Sequence, residues 1–211
     1  MKQTELPVAL LLISTQCPHC HVLQDLLLRR FQGEEAAHLQ TINIDDQPET
    51  ARALGVRSVP WLRLGLFEFD GVMTPDELDR WITLAVKVDS NPGYLEYLLV
   101  NGKLVQAIAW LKEYKVGLDS LLTLLVKADV KMNVRVGIGA IMEDFESTNE
   151  LVDIIPALIQ LTQHDDPTVR ADACHYLMLS HSEQAIAAIE SLLKDTDEQV
   201  RMIARESLDD L

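Results

Sequence analysis

The chain is short of what most secreted, nucleic-acid-binding and membrane-spanning proteins need. It has three cysteines in 211 residues. That is too few, and one too odd, for the disulfide framework of a small secreted domain. Cations are also scarce: 18 Lys and Arg stand against 33 Asp and Glu, for a net charge of −15. Both halves share the deficit, with 8 basic and 13 acidic residues in 1–90, and 10 and 20 in 91–211. Such a field repels phosphates and anionic lipid, which are bound by cations that displace counterions. The expected partner is therefore a basic or neutral protein, not a nucleic acid, although the same acidity also serves solubility alone. No apolar run approaches the roughly 20 residues of a membrane helix. The stretch Leu6 to Ile13 is short and interrupted by Pro7. It is a poor secretory leader too, because Lys2 is soon followed by Glu5 and no small-x-small cleavage site comes after it. The expectation is a cytoplasmic chain with no membrane segment.

What is present suits a folded protein. The 48% hydrophobic and 24% charged content are ordinary, and the length favours two domains. Over the first ninety residues strand and helix signals alternate. Pro7 to Ser14 is a nearly continuous apolar run, as in a strand covered on both faces. Pro18 opens a helix to about Arg30, with Val22, Leu23, Leu26 and Leu27 at helical spacing. Leu39 to Ile44 reads as a second strand, parallel to the first, and Pro48 to Leu54 as a short helix stopped by Gly55. Trp61 to Leu64 and Leu66 to Phe69 form a hairpin around Gly65. Thr74-Pro75-Asp76-Glu77 is a capping box, and its helix runs to about Val88.

Asp89-Ser90-Asn91-Pro92-Gly93 gathers turn residues and marks the expected boundary between domains 1–90 and 91–211. Beyond it only helix signals remain, over about 95–100, 103–114, 117–128, 132–145, 149–163, 167–180, 183–194 and 197–210. This half repeats itself: Pro156 to Leu177 aligns with Ala187 to Leu208. The Val-Arg pairs Val169-Arg170 and Val200-Arg201 lie 31 residues apart, and Val134-Arg135 lies 35 before the first.

The chemistry centres on Cys17-Pro18-His19-Cys20. Cys17 sits just before the first helical turn, where unpaired N–H groups and the helix dipole favour a thiolate. Cys20, one turn later and more buried, can resolve a mixed disulfide. Pro18 suits the first helical position because its missing N–H is not needed there. The imidazole of His19 can donate a hydrogen bond or bring positive charge near Cys17, favouring thiolate over disulfide. The competing reading is zinc held by Cys17, Cys20 and His19 or His21. A structural zinc site takes four ligands, and no second CxxC or distant His pair supplies the rest. No metal is expected.

Further along, Asn43 to Leu62 contains Ser58-Val59-Pro60-Trp61, and Phe69-Asp70-Gly71 precedes the capped helix. With the CxxC these segments resemble the thioredoxin and glutaredoxin family over about residues 5–88. The resemblance implies an α/β thioredoxin-like domain with a four-stranded mixed sheet in the order β-α-β-(α)-β-β-α. It implies a cis Pro60 beside the cysteines and a free Val59 backbone to bind an extended substrate. Gly71 would lie in the bulge on the substrate side, and Trp61 touches substrate or packs in the core. The tetrapeptide itself resembles that of the bacterial disulfide-introducing oxidases. Three positions depart from thioredoxin: Gln16 replaces its Trp, Leu11 its buried acid and Thr41 its lysine. Deprotonation of Cys20 is then left to water, His19 or His21.

The second half resembles HEAT-like repeats, best over 151–211, which implies an all-α solenoid. There Arg170 and Arg201 brace the inter-helix turns. Cys174 is expected as a buried free thiol, His38 at the surface, and Trp81 and Trp110 in the core; His164, His175 and His181 make no metal spacing. Taken together the chain reads as a thiol–disulfide oxidoreductase with no cofactor beyond the Cys17–Cys20 disulfide. The repeats would choose its protein partner, or a second copy of the chain as a homodimer. The rival reading is a scaffold in which both domains only bind proteins. The direction of electron flow stays open.

Overall fold

The computed structural model describes residues 6–87 and 91–211. Lys2, Glu5, Val88, Asp89 and Ser90, used above, lie outside the described residues. The chain divides into two compact units, Met1–Ser90 and Asn91–Leu211.

The first unit is built on a four-stranded sheet in the order β2-β1-β3-β4. Strand β1 is Ala9–Ile13, β2 Leu39–Asn43, β3 Trp61–Leu64 and β4 Phe67–Asp70. β1 pairs parallel with β2 and antiparallel with β3, and β3 pairs antiparallel with β4. All five residues of β1 are buried, as a strand with neighbours on both edges and elements on both faces requires. Leu10 and Leu12 join Ile42, Ala51 and Trp61 in one cluster, with Leu54 and Val56 packed against it. Alternation sends Ala9, Leu11 and Ile13 to the opposite face.

Helix α1, Pro18–Arg30, buries Cys20, Leu23 and Leu27, one residue per turn. Val22 is 54% exposed and Leu26 only half-buried, so the buried stripe of this helix is narrower than its apolar spacing suggests. A short 3-10 helix over Gly33–His38 leads into β2. It half-buries His38, whose Nδ1 lies 3.1 Å from the Leu6 carbonyl oxygen, so this ring is less superficial than expected. Helix α2 is Pro48–Ala53. Helix α3, Pro75–Ala85, opens with the expected capping box: Thr74 Oγ1 accepts from the Glu77 amide at 3.3 Å, and Glu77 Oε2 accepts from the Thr74 amide at 2.8 Å. Trp81 of α3 packs on Phe67 and Phe69. Thr74→Ala is expected to destabilise this unit by about 1 kcal/mol, read as a lower denaturant midpoint with an unchanged slope.

The second unit is helical over its described length. Its helices are α4 (Asn91–Val100), α5 (Leu104–Tyr114), α6 (Asp119–Leu125), α7 (Met132–Asp144), α8 (Asn149–Asp153), α9 (Ile155–Leu161), α10 (Pro167–Leu179), α11 (Glu183–Leu192) and α12 (Glu198–Asp209). The single helix expected over 149–163 is two. Pro156 has no N–H to give to residue 152, and its ring crowds that carbonyl, so the chain turns at Ile154. α10 packs against α7 and α12, while α11 packs against α9, which makes two layers of stacked helices. Trp110 is 3% exposed, stacked edge-on with Tyr94. Gly137 of α7 admits a close approach, since a Cβ there would lie 2.6 Å from Cδ2 of Leu99.

Candidate active site

The tight turn after β1 delivers Cys17 to the N-cap of α1. Its backbone is extended, at φ −94° and ψ 103°, and Pro18 follows inside the helix. The Cys20 amide donates to Cys17 Sγ at 3.1 Å and to the Cys17 carbonyl at 3.1 Å, so a helix-end N–H is shared between the carbonyl and the sulfur. Cys17 is half-buried, while Pro18 and His19 are exposed. Cys20 has 0% exposure. The two cysteines are joined as a disulfide with Cα atoms 5.3 Å apart. The pair is therefore asymmetric: one cysteine is partly open to solvent and the other is enclosed. Among the described residues no hydrogen bond joins the His19 ring to Cys17.

Two other segments meet this turn. Cys17 Sγ lies 3.7 Å from the Val59 carbonyl oxygen, within reach of an S–H donor when the disulfide is reduced. The Val59–Pro60 peptide bond is cis. Pro60 is buried, and its carbonyl accepts from the Gly71 amide at 2.8 Å. Gly71 holds φ +84°, a left-handed backbone that glycine tolerates and other residues resist. The Trp61 side chain is 4% exposed and belongs to the core cluster, with the Arg63 guanidinium 5.8 Å from its ring. CxxC, Val59-Pro60 and Gly71 thus converge from three loops.

This convergence agrees with the comparison to known families. Residues 8–83 match the thioredoxin domain family. The N-terminal unit is a thioredoxin-like domain. Residues 118–209 match the HEAT repeats family, so the second unit carries HEAT repeats. No curated protein matches the chain.

Within the thioredoxin-like domain, Leu11 is fully buried in β1, opposite Thr41 on β2 and Leu62 on β3. An apolar residue thus fills the place of the family's buried acid. A different carboxylate, Asp45, bonds the loop before Cys17. Asp45 accepts from Ser14 Oγ at 3.0 Å and from the Thr15 amide at 2.8 Å. Asn43 donates to Thr15 Oγ1 at 2.8 Å and accepts from the Asp45 amide at 3.0 Å. The signal was Asn43-x-Asp45 directly after a strand, a pattern in which side chains bond their own backbone two residues on.

Asp45 is held below the ordinary carboxylate range, chiefly by the Thr15 amide and then by the Thr15 and Ser14 hydroxyls. Glu77 and Asp79 are lowered as well, by the Thr74 amide and by the Arg30 guanidinium respectively. A carboxylate with a depressed folded value contributes stability above its unfolded pKa of about 4, and that contribution vanishes as pH falls through the folded value. Thermal melts of the full chain are expected to show a lower midpoint at about pH 3 than at about pH 5. An unchanged midpoint would contradict these bonds.

In the HEAT unit the arginines sit at the inter-helix turns. Arg170 Nη1 donates to the carbonyls of His164 and Asp165 at 2.8 and 3.0 Å, while Nε and Nη2 hold the Asp195 carboxylate at 2.8 and 2.7 Å. Arg201 Nη1 donates to the carbonyls of Asp195 and Thr196 at 2.7 and 3.0 Å. Arg135 bonds Asp172 one repeat on. Between the turns at 162–165 and 191–196 lies an open cleft of about 480 Å³. Cys174 is fully buried, and burial pushes its thiol up to about 11 despite contact with Ser207. No cluster able to hold a metal ion occurs among the described residues, His164, His175 and His181 included.

Proposed function

We propose that the chain is a thiol–disulfide oxidoreductase that exchanges disulfides with a protein partner selected by its HEAT repeats. The observation that carries this is the unequal burial of the Cys17–Cys20 pair: Cys17 at a helix N-cap facing Val59-Pro60, Cys20 fully enclosed. The reaction needs no group beyond the two thiols. The Cys17 thiolate attacks one sulfur of a partner disulfide, forming a mixed disulfide and expelling the other sulfur as a thiolate that takes a proton. Cys20, losing its proton to solvent or an exposed imidazole, attacks Cys17 Sγ and releases the partner's second thiol. The partner gains two electrons and two protons, and Cys17–Cys20 becomes a disulfide. Run backwards, the same steps oxidise a dithiol.

The first-turn amide of Cys20 supports the thiolate during attack. The Val59 backbone offers an edge to an extended substrate, with Pro60 and Gly71 holding that edge in place. His19, exposed on the first turn, acts through its charge when protonated rather than through a bond to the sulfur. Recognition belongs to the HEAT unit, whose family generally mediates protein–protein contacts. Its excess of acid suits a basic or neutral protein, or a basic face on a second copy of this chain. Work in the cytoplasm is part of this proposal; separately, no helix among the described residues is long and apolar enough to cross a membrane.

Reduction of insulin disulfides by the wild type and by Cys17→Ser tests the reading. Wild-type turnover that the variant loses supports it. Equal rates would leave only a binding module.

A further inference from the structure

We propose that Asp45 is the positioning residue of the dithiol: by clamping Ser14 and Thr15 it holds Cys17 at the N-cap of α1, with its sulfur on the Cys20 amide and against the Val59 carbonyl. This rests on the redox reading of Cys17 and Cys20.

The argument is geometric. Between the end of β1 at Ile13 and the start of α1 at Pro18 the chain has four residues to reverse direction. The turn has one bond of its own, the Cys17 amide donating to the Ser14 carbonyl at 3.2 Å. The side-chain bonds that pin Ser14 and Thr15 come from the end of β2 and the loop after it. Both oxygens of Asp45 accept from Ser14 Oγ at 3.0 Å, and one also takes the Thr15 amide at 2.8 Å. Asn43 then binds Thr15 Oγ1 and, through its carbonyl oxygen, the Asp45 amide, so both ends of the clamp are tied to one strand end. β2 itself is registered on β1 up to Ile13 and Asn43, and the Ile44 amide donates to the Ile13 carbonyl at 2.8 Å. The clamp therefore transmits the sheet's register to the residue two places before the nucleophile.

The contact between Cys20 N–H and Cys17 Sγ exists only while Cys17 keeps its extended N-cap backbone. Freed of Asp45, residues 14–16 sample other turns, and the sulfur spends less time on that donor. Yet Asp45 is also an anion near the mouth of the site, and charge alone would act in the opposite direction. The two effects separate by substitution. Asp45→Ala removes clamp and charge together. Asp45→Asn removes the charge but keeps an oxygen for the Thr15 amide and an NH₂ for Ser14.

The test is the pH profile of iodoacetamide alkylation of the fully reduced chain, where Cys20 and Cys174, both fully buried, react slowly and Cys17 reports first. Asp45→Ala is expected to move the profile up by about one pH unit, so that alkylation on its rising limb slows roughly tenfold. Asp45→Asn is expected to stay within a factor of about two of the wild type. A profile unmoved in Asp45→Ala, or moved downward in both variants, overturns the proposal while leaving the redox reading intact. A wild-type profile with no ionisation below that of an ordinary thiol overturns both. If Asp45→Ala does not fold, Asn43→Ala leaves the carboxylate in place but releases Thr15. It should shift the profile in the same upward direction, and no shift there overturns the clamp.

Discussion

Cys20→Ser is expected to stop exchange with the partner still attached. Without the resolving thiol, the Cys17 thiolate still attacks a partner disulfide and still expels one thiolate, but nothing within the domain displaces the second. The product is a mixed disulfide that survives on a non-reducing gel and dissolves in excess dithiol. Incubation of the variant with an oxidised protein should convert most of the chain into this adduct, whereas Cys17→Ser and the double variant give none. The exposure difference decides the order of events: Cys20, at 0%, cannot reach a macromolecular disulfide, and half-buried Cys17 can. Cys174 will not substitute for it. With burial pushing its thiol up to about 11, only about one molecule in a thousand is thiolate at about pH 8. An adduct that persists in the Cys17→Ser background would show that another thiol does the work and would remove Cys17 from the nucleophile's role.

Arg170→Ala is expected to be the most damaging single truncation at the HEAT turns. Its side chain is 12% exposed and that of Asp195 is 8% exposed, so the pair is largely shielded. The guanidinium joins the turn at His164 and Asp165 to the carboxylate of the next turn. Alanine leaves two carbonyls without this donor and a shielded carboxylate with the Asp197 amide for support. Breaking a fully buried pair costs about 3–5 kcal/mol and an exposed one about 0–1. This intermediate site should cost about 2 kcal/mol, or roughly 6 °C in the melting midpoint of the helical unit. Arg170→Lys recovers little, since one ammonium cannot serve a bidentate carboxylate and two carbonyls at once. Arg201→Ala, which loses only carbonyl partners, should cost about half as much. Circular dichroism melts at 222 nm measure all three. A midpoint for Arg170→Ala equal to that of Lys112→Ala, which breaks an exposed pair, would contradict the bracing role.

What could be read from residues in order was local. An unbroken apolar run announced a strand covered on both sides, and β1 is buried at every position. Thr74 and Glu77 announced a helix start because a capping box involves only residues three apart. Cys17 and Cys20 announced a pair of neighbouring sulfurs, because residues three apart at a helix start bring two side chains together. The Val-Arg repeats announced stacked helices because each turn repeats the same chemistry.

What required the folded chain was distance. Val22 fits the apolar stripe of α1 in sequence, but the fold buries only the Cys20, Leu23 and Leu27 edge and leaves Val22 exposed. Asp45 lies 31 residues from Ser14, and Asp195 lies 25 from Arg170. No periodicity links such partners. The sequence by itself determined the four strands, most of the helices and which cysteine stands at a helix start, since those follow from spacing along the backbone; it missed the break at Ile154 and the helical course of Asn91-Pro92-Gly93. Only the tertiary structure decided that Val59 faces the Cys17 sulfur, that Gly71 ties down Pro60, and that Asp45, just beyond β2, bonds Ser14 and Thr15 in the loop leading to Cys17. Those contacts exist because parallel pairing of β1 with β2, and antiparallel pairing of β1 with β3 and of β3 with β4, bring these loop ends side by side.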